Sequence, residues 1–270
     1  MKFTMNTLGA PGWSLEETAR NARTYGYAGV DLRLLDGEVI TLDTVRAASS
    51  RIRALFPRAE LPVAVLPTSV RLATREPAVR QATLEEAHRW IDLAAELEVP
   101  VIRFFAARNP PELDLAASIQ AVGEMLALLA QHAEEAGVRI GVETHDEFAS
   151  ARTVAGALQL APGNAVGAVW DMLHTTRVGE SPAEALRQLA GRVINVHLKD
   201  ARRTADGWQL VLLGEGDVPV QQGLRLLRDS GYEDFISVEW EKKWHPEIAE
   251  PEVAYPQHID VLRRYERELP

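Results

Sequence analysis

Four short apolar runs each end on a residue able to hold a metal ion: Gly-Val-Glu143, Val-Trp-Asp171, Asn-Val-His197 and Ser-Val-Glu239. Side chains alternate between the two faces of a strand. Over Val193 to Lys199, the apolar Ile194, Val196 and Leu198 take one face, and Asn195, His197 and Lys199 take the other. The same parity sets Glu143, Asp171 and Glu239 opposite Val142, Trp170 and Val238, and turns Asp31, Arg33 and Arg103 to the same side. One polar residue at a strand end is usually a solvated loop residue; four in successive strands are not explained that way. Three carboxylates brought together would repel one another and take up protons unless a cation neutralised them. With one imidazole they form a hard, oxygen-rich set suited to Mn²⁺ or Mg²⁺, with Co²⁺ and Zn²⁺ as alternatives.

A second layer of polar residues follows these positions. Asp171-Met-Leu-His174 places an imidazole just beyond the aspartate, and His197-Leu-Lys199-Asp200-Ala-Arg-Arg203 adds cations after the histidine. Lys199 either reaches the pocket or pairs with Asp200, and Arg203 competes with Arg202 for the same role. His145, directly after Glu143, either faces away or turns over the pocket. Gly214 and Gly216 have the makings of a backbone anion nest. Trp13 is a candidate apolar wall for a substrate or a core residue, and Trp240 and Trp244 suit a pocket wall or an oligomer contact. His88 and His132 fall inside helical patterns and read as surface or packing residues.

Positioning such a cluster requires strands that end at one place. Candidate strands are Phe3 to Leu8, Ala28 to Leu34, Leu61 to Leu66, Val99 to Phe105, Val138 to Glu143, Ala165 to Asp171, Val193 to Leu198 and Phe235 to Glu239. They are short and rich in β-branched and aromatic residues, as buried parallel strands are. Helical patterns alternate with them, among them Leu15 to Tyr25, Ala78 to Leu97, Ala116 to Ala136 and Pro182 to Leu189. Ser14 and Ser181-Pro182 supply start signals, and Gly26, Gly137 and Gly231 lie where a helix end wants a left-handed residue. Strict alternation of eight strands and helices predicts an α/β fold, a single (β/α)8 barrel spanning residues 1–270 as one domain. A doubly wound open sheet is the alternative, but Gly214-Glu-Gly216 lacks the third glycine and the strand-to-helix setting of a dinucleotide turn.

The 270 residues suffice to bury roughly three quarters of the extended surface without a structural staple. The composition is that of an ordinary soluble globular protein, with 46% hydrophobic and 25% charged residues. There is no cysteine, which excludes disulfides, thiolate zinc sites and cysteine nucleophiles. A net charge of −10 disfavours a broad nucleic-acid surface. No apolar run approaches the ~18–20 residues of a membrane span and the N-terminus lacks a signal-peptide core, so a cytoplasmic location is expected.

The order and spacing of these pieces resemble the xylose isomerase-like TIM barrel superfamily, in particular its sugar isomerase/epimerase branch. Trp13-Ser-Leu-Glu-Glu, Gly26-Tyr-Ala-Gly-Val-Asp-Leu-Arg33, Gly137-Val-Arg-Ile-Gly-Val-Glu143, Trp170-Asp-Met-Leu-His174, Val196-His-Leu-Lys-Asp200, Gly214-Glu-Gly-Asp-Val218 and Gly231-Tyr-Glu-Asp-Phe-Ile-Ser-Val-Glu239 follow in family order. The resemblance implies one divalent ion held by Glu143, Asp171, His197 and Glu239. It also implies Glu143 and Glu239 as the acid–base pair flanking the carbon that loses its proton, with an enediolate between substrate and product. His174, Arg203, Lys199 and Trp13 would contact the substrate, a small ketose, sugar phosphate or hydroxy-keto acid of carbohydrate metabolism. Barrels of this branch commonly form dimers or tetramers, so a homo-oligomer is expected on resemblance alone.

The chain departs from particular branches. Ketohexose 3-epimerases carry an Asn-Arg-aromatic-Glu run after the first glutamate, where this chain reads Thr144-His-Asp-Glu-Phe-Ala149. Abasic-site endonucleases need three zinc ions held partly by early histidines, yet no histidine precedes His88, and Asp206-Gly-Trp208 stands where an Asp-x-His pair would be. A metal-dependent dehydratase of a polyol or keto acid, such as inosose or dehydroshikimate, shares the four ligands and is the alternative reading.

Overall fold

The apolar runs form strands that close on one another. In the computed structural model, which describes residues 1–107 and 113–269, eight parallel strands make a closed barrel. They are β1 (Lys2–Asn6), β2 (Gly29–Asp31), β3 (Val63–Arg71), β4 (Val101–Phe105), β5 (Arg139–Glu143), β6 (Val166–Asp171), β7 (Val193–Leu198) and β8 (Phe235–Val238). Each pairs with its neighbours in chain order, and β1 closes the ring by pairing with both β2 and β8. A (β/α)8 barrel is therefore the fold, with helices packed around it. Among the described residues no helix is long and apolar enough to cross a membrane.

Local chemistry sets the helix boundaries. Helix α1 (Leu15–Tyr25) starts with a reciprocal capping box between Ser14 and Glu17 and stops at Gly26, whose φ is 84°. The same device opens the helix Pro182–Leu189, where Ser181 caps and Pro182 occupies the first turn. The helices Pro77–Glu96 and Leu115–Glu135 each run within a residue of the expected limits.

Three strands differ from expectation. The run expected over Ala28 to Leu34 stops as a strand at Asp31, because Leu34–Leu35 turns back on Glu38–Val39 in a hairpin. Asp36-Gly37 makes that turn with both φ values positive, 50° and 84°, a conformation Asp-Gly favours. Strand β3 continues past Leu66 to Arg71, and its register slips between Pro67 and Arg71, as a residue without an N–H requires. In β7 the register against β6 slips around Ile194. That residue, expected to face the helices, instead joins Val65 and Val101 in a small cluster apart from the main core. Gly141 and Gly167 make room: a Cβ on Gly167 would lie 2.5 Å from Ile194 Cγ2, and one on Gly141 3.2 Å from Ile194 Cδ1.

A hairpin, Asp200–Thr204 with Gly207–Val211, interrupts the alternation after β7. The final helix (Pro251–Glu268) packs against α1 and buries His258 against Trp240 and Tyr255, at ring distances of 5.0 and 6.4 Å. Neither ring nitrogen of His258 has a hydrogen-bond partner among the described residues, and burial pushes its pKa down to about 3. The folded state thus refuses a proton that the unfolded chain accepts near pH 6.5. Stability contributed by the neutral ring is complete above that pH and is lost as pH falls from about 6.5 toward 3. From pH 7 to pH 5 the wild type should lose about 2 kcal/mol more unfolding free energy than His258→Leu in urea titrations. Equal losses would show that the ring is not held neutral.

Candidate metal centre and cavity

The C-terminal ends of β5 to β8 bring the four expected ligands together. One donor atom each from Glu143, Asp171, His197 and Glu239 lies within 4.8 Å of the others, and all four residues are buried. Backbone pairing fixes the placement: Asp171 sits beside His197 in the β6–β7 register, and Glu239 N donates to Leu198 O at the end of β8. Asp171 also caps the short helix Met172–Arg177, accepting from His174 N at 3.0 Å, so its carboxylate has little freedom.

The acids do not face one another unscreened. Glu143 Oε2 lies 3.1 Å from Arg103 Nε, and His197 Nδ1 lies 2.8 Å from Glu143 Oε1 and 3.3 Å from Glu239 Oε1. Lys199 Nζ lies 2.8 Å from Asp171 Oδ2, 2.5 Å from Glu239 Oε2 and 2.6 Å from Glu241 Oε1. Burial alone would raise both glutamates, but Arg103 and His197 hold Glu143 below the carboxylate range, and Lys199 and His197 do the same for Glu239. Burial works against the charged form of His197 too and is outweighed by Glu239 and Glu143, so its pKa lies well above the usual value. Lys199 is likewise raised, its desolvation overcome by Asp171, Glu239 and Glu241. The chain therefore supplies its own counter-charges, and carboxylate repulsion by itself does not demand a metal.

The donor set fits one nonetheless. Glu143 Oε2, Asp171 Oδ2 and both ring nitrogens of His197 are buried without a hydrogen bond of acceptable geometry among the described residues. Native interiors leave few such atoms, and here they cluster where three carboxylates meet an imidazole that becomes a ligand on giving up its proton. That is the ligand chemistry of a divalent cation bound mainly through oxygen.

Beside the cluster lies a cavity of about 60 Å³, whose lining includes Glu143, Glu239, Lys199, Arg33, Arg103 and Phe105, together with His145 and Trp244. Strand β5 ends at Glu143, and the chain turns through Asp146 at a φ of 49°. His145 consequently folds over the pocket, its ring 4.8 Å from Phe105 and 4.5 Å from His174. Burial keeps His174 neutral by pushing its pKa down to about 4.

Several expected contacts are placed elsewhere. Trp13 is buried between Tyr25 and Tyr255 and donates Nε1 to Glu252 at 2.8 Å, so it packs the core instead of lining the cavity. Arg203 rides on the exposed hairpin after β7, its backbone N bonded to Asp217, and neither it nor Arg202 lines the cavity. Lys199 does not pair with Asp200. Asp200 instead fills the glycine nest itself, accepting from Gly214 N at 2.8 Å, Gly216 N at 3.0 Å, Val218 N at 3.2 Å and Ala201 N at 2.8 Å. A Cβ on Gly216 would stand 2.2 Å from Asp200 Oδ1, so the nest requires that glycine.

Two polar residues of the site escaped sequence reasoning. Glu241 has the inward parity of Glu239 two positions on, a signal that was available. Asn6, at the end of β1, donates Nδ2 to Glu239 Oε1 at 3.3 Å, a partnership only barrel closure creates.

Comparison with known proteins agrees with this fold. The sequence profile of the xylose isomerase-like TIM barrel family matches residues 19–265. Fructoselysine 3-epimerase of Shigella flexneri is 23% identical over 255 residues, covering 88% of this chain and 90% of the relative. Among solved structures, a D-tagatose 3-epimerase-like protein superposes with a TM-score of 0.80 at 19% identity, covering 100% of this chain and 98% of the other. IolI protein, solved with a bound zinc atom, superposes with a TM-score of 0.79 at 17% identity and the same coverage.

Proposed function

The chain belongs to the xylose isomerase-like TIM barrel family, and from that premise we propose that it is a divalent-metal-dependent isomerase or epimerase. Its reaction moves the proton next to a carbonyl in a small open-chain ketose or hydroxy-keto acid. The observation that carries this reading is the convergence of four buried ligand atoms within 4.8 Å, two of them from glutamates that also line the cavity. The epimerase relatives support it.

Glu143, Asp171, His197 and Glu239 would hold the ion, which when bound supplies Lewis-acid polarisation of a carbonyl. The remaining work falls to the chain. Glu143 and Glu239 are both kept ionised, so each can accept a proton from carbon at neutral pH. Placed on either side of a substrate, one removes the proton and the other returns it on the opposite face, which is epimerisation. Return by the same carboxylate to the neighbouring carbon is isomerisation. His174, neutral through burial, can donate an N–H to a substrate oxygen as negative charge grows there. Phe105 and Leu8 give the cavity its apolar lining.

The test is solvent exchange. Purified protein supplied with Mn²⁺ in D₂O, offered a panel of ketoses and keto acids, should place deuterium on one carbon adjacent to the carbonyl of a preferred compound. Loss of water without exchange would replace the reading with a dehydratase, and no reaction across the panel would count against proton transfer altogether.

A further inference from the structure

Three cations line the cavity beside the glutamates, and they differ in company. Arg103 is matched by Glu143 and Lys199 by three carboxylates. Arg33 has no carboxylate partner among the described residues. Its Nη1 donates to Pro67 O at 3.0 Å and to Ser69 Oγ at 2.9 Å, both neutral acceptors. Its remaining N–H groups make no hydrogen bond among the described residues, and they keep some access to solvent although the residue is only 7% exposed. A largely buried guanidinium bonded only to neutral acceptors is costly; Glu239 and Glu143, which line the same cavity, offset part of that cost through their charge without bonding to it, and the unbonded N–H groups are left for an anionic ligand. Burial, reinforced by Arg103, pushes its pKa down to about 9, so it is still charged at neutral pH.

Resting on the reading above, we propose that Arg33 receives a carboxylate of the substrate, so that the natural substrate is a sugar acid or hydroxy-keto acid and not a neutral sugar. A guanidinium grips carboxylate and phosphate alike in a two-point contact, and one feature favours carboxylate. The backbone nest at Gly214 to Val218, the fold's own candidate cradle for a phosphate, is filled by Asp200.

The experiment uses two matched sets of probes on the Mn²⁺-loaded protein: dihydroxyacetone, hydroxypyruvate and dihydroxyacetone phosphate, and fructose, fructuronate and fructose 6-phosphate. Calorimetric titration should show the acid of at least one set binding about tenfold or more tightly than its neutral member, the size of one charge-assisted contact. Arg33→Met should erase that ratio and Arg33→Lys should keep part of it. An acid preference that survives Arg33→Met belongs to the metal and overturns the assignment. Neutral members binding as well as the acids in both sets overturn it too, as do phosphate esters leading in both. The wild-type ratios stand even if Arg33→Met fails to fold. Deuterium exchange, followed in parallel, separates the two ideas. Exchange without acid preference removes the role of Arg33 and leaves proton transfer, whereas Arg33-dependent acid binding without exchange does the reverse.

Discussion

Glu239→Gln is expected to lower epimerisation or isomerisation by about 10²–10⁴-fold, the usual worth of a positioned acid or base, with the barrel intact. Glutamine preserves shape and can still accept from Asn6 Nδ2, which bonds Glu239 Oε1 at 3.3 Å. Lys199 keeps Asp171 and Glu241, and His197 keeps Glu143, so no cation is stranded. Loss of rate with Mn²⁺ at saturation would not by itself separate a base from a ligand. Exchange does. If Glu143 and Glu239 serve opposite faces, Glu239→Gln retains deuterium exchange into one epimer only, and Glu143→Gln retains it into the other. A variant that still turns over, or two variants that exchange the same epimer, would remove the paired-base role.

Lys199→Met is expected to affect the metal-free protein most. The ammonium is buried and touches oxygens of Asp171, Glu239 and Glu241, two of which belong to the candidate ligand set. Removing it leaves two buried carboxylates, Asp171 and Glu239, and the half-buried Glu241 short of a counter-charge, a loss of about 3–5 kcal/mol for a broken buried pair. The same ammonium competes with an incoming cation for Asp171 and Glu239, so its removal also strengthens metal uptake. Chemical denaturation should therefore show a weaker metal-free variant that gains more stability from saturating Mn²⁺ than the wild type does. Unchanged metal-free stability together with an unchanged response to Mn²⁺ would mean that Lys199 plays neither part.

Residues with period-two parity were the most legible. Each of Glu143, Asp171, His197 and Glu239 closes a short apolar run, and parallel strands ending at one rim bring such residues together whatever the loops do. The barrel itself was legible for the same reason, since its signal repeats along the chain. Less legible were features set by contacts far apart in sequence. Ile194 leaves its expected face because Gly141 and Gly167, on other strands, open a space for it. Asp200 abandons Lys199 because a loop more than ten residues on presents three backbone N–H groups, joined by that of Ala201. Trp13 and Arg203 sit near the site in sequence logic, yet Tyr255 and Glu252 of the last helix claim the first, and an antiparallel hairpin carries the second outward. The Asp36-Gly37 hairpin was readable from its dipeptide and explains why β2 is short.

The most direct test of the whole account is to strip the protein of metal and titrate it with Mn²⁺, following heat release and bound ion together. The account predicts one ion per chain, with Asp171→Asn losing that uptake while still folding. A wild type that takes up no stoichiometric ion, or an Asp171→Asn protein that binds it as tightly, would contradict the assignment of these four residues as a metal centre.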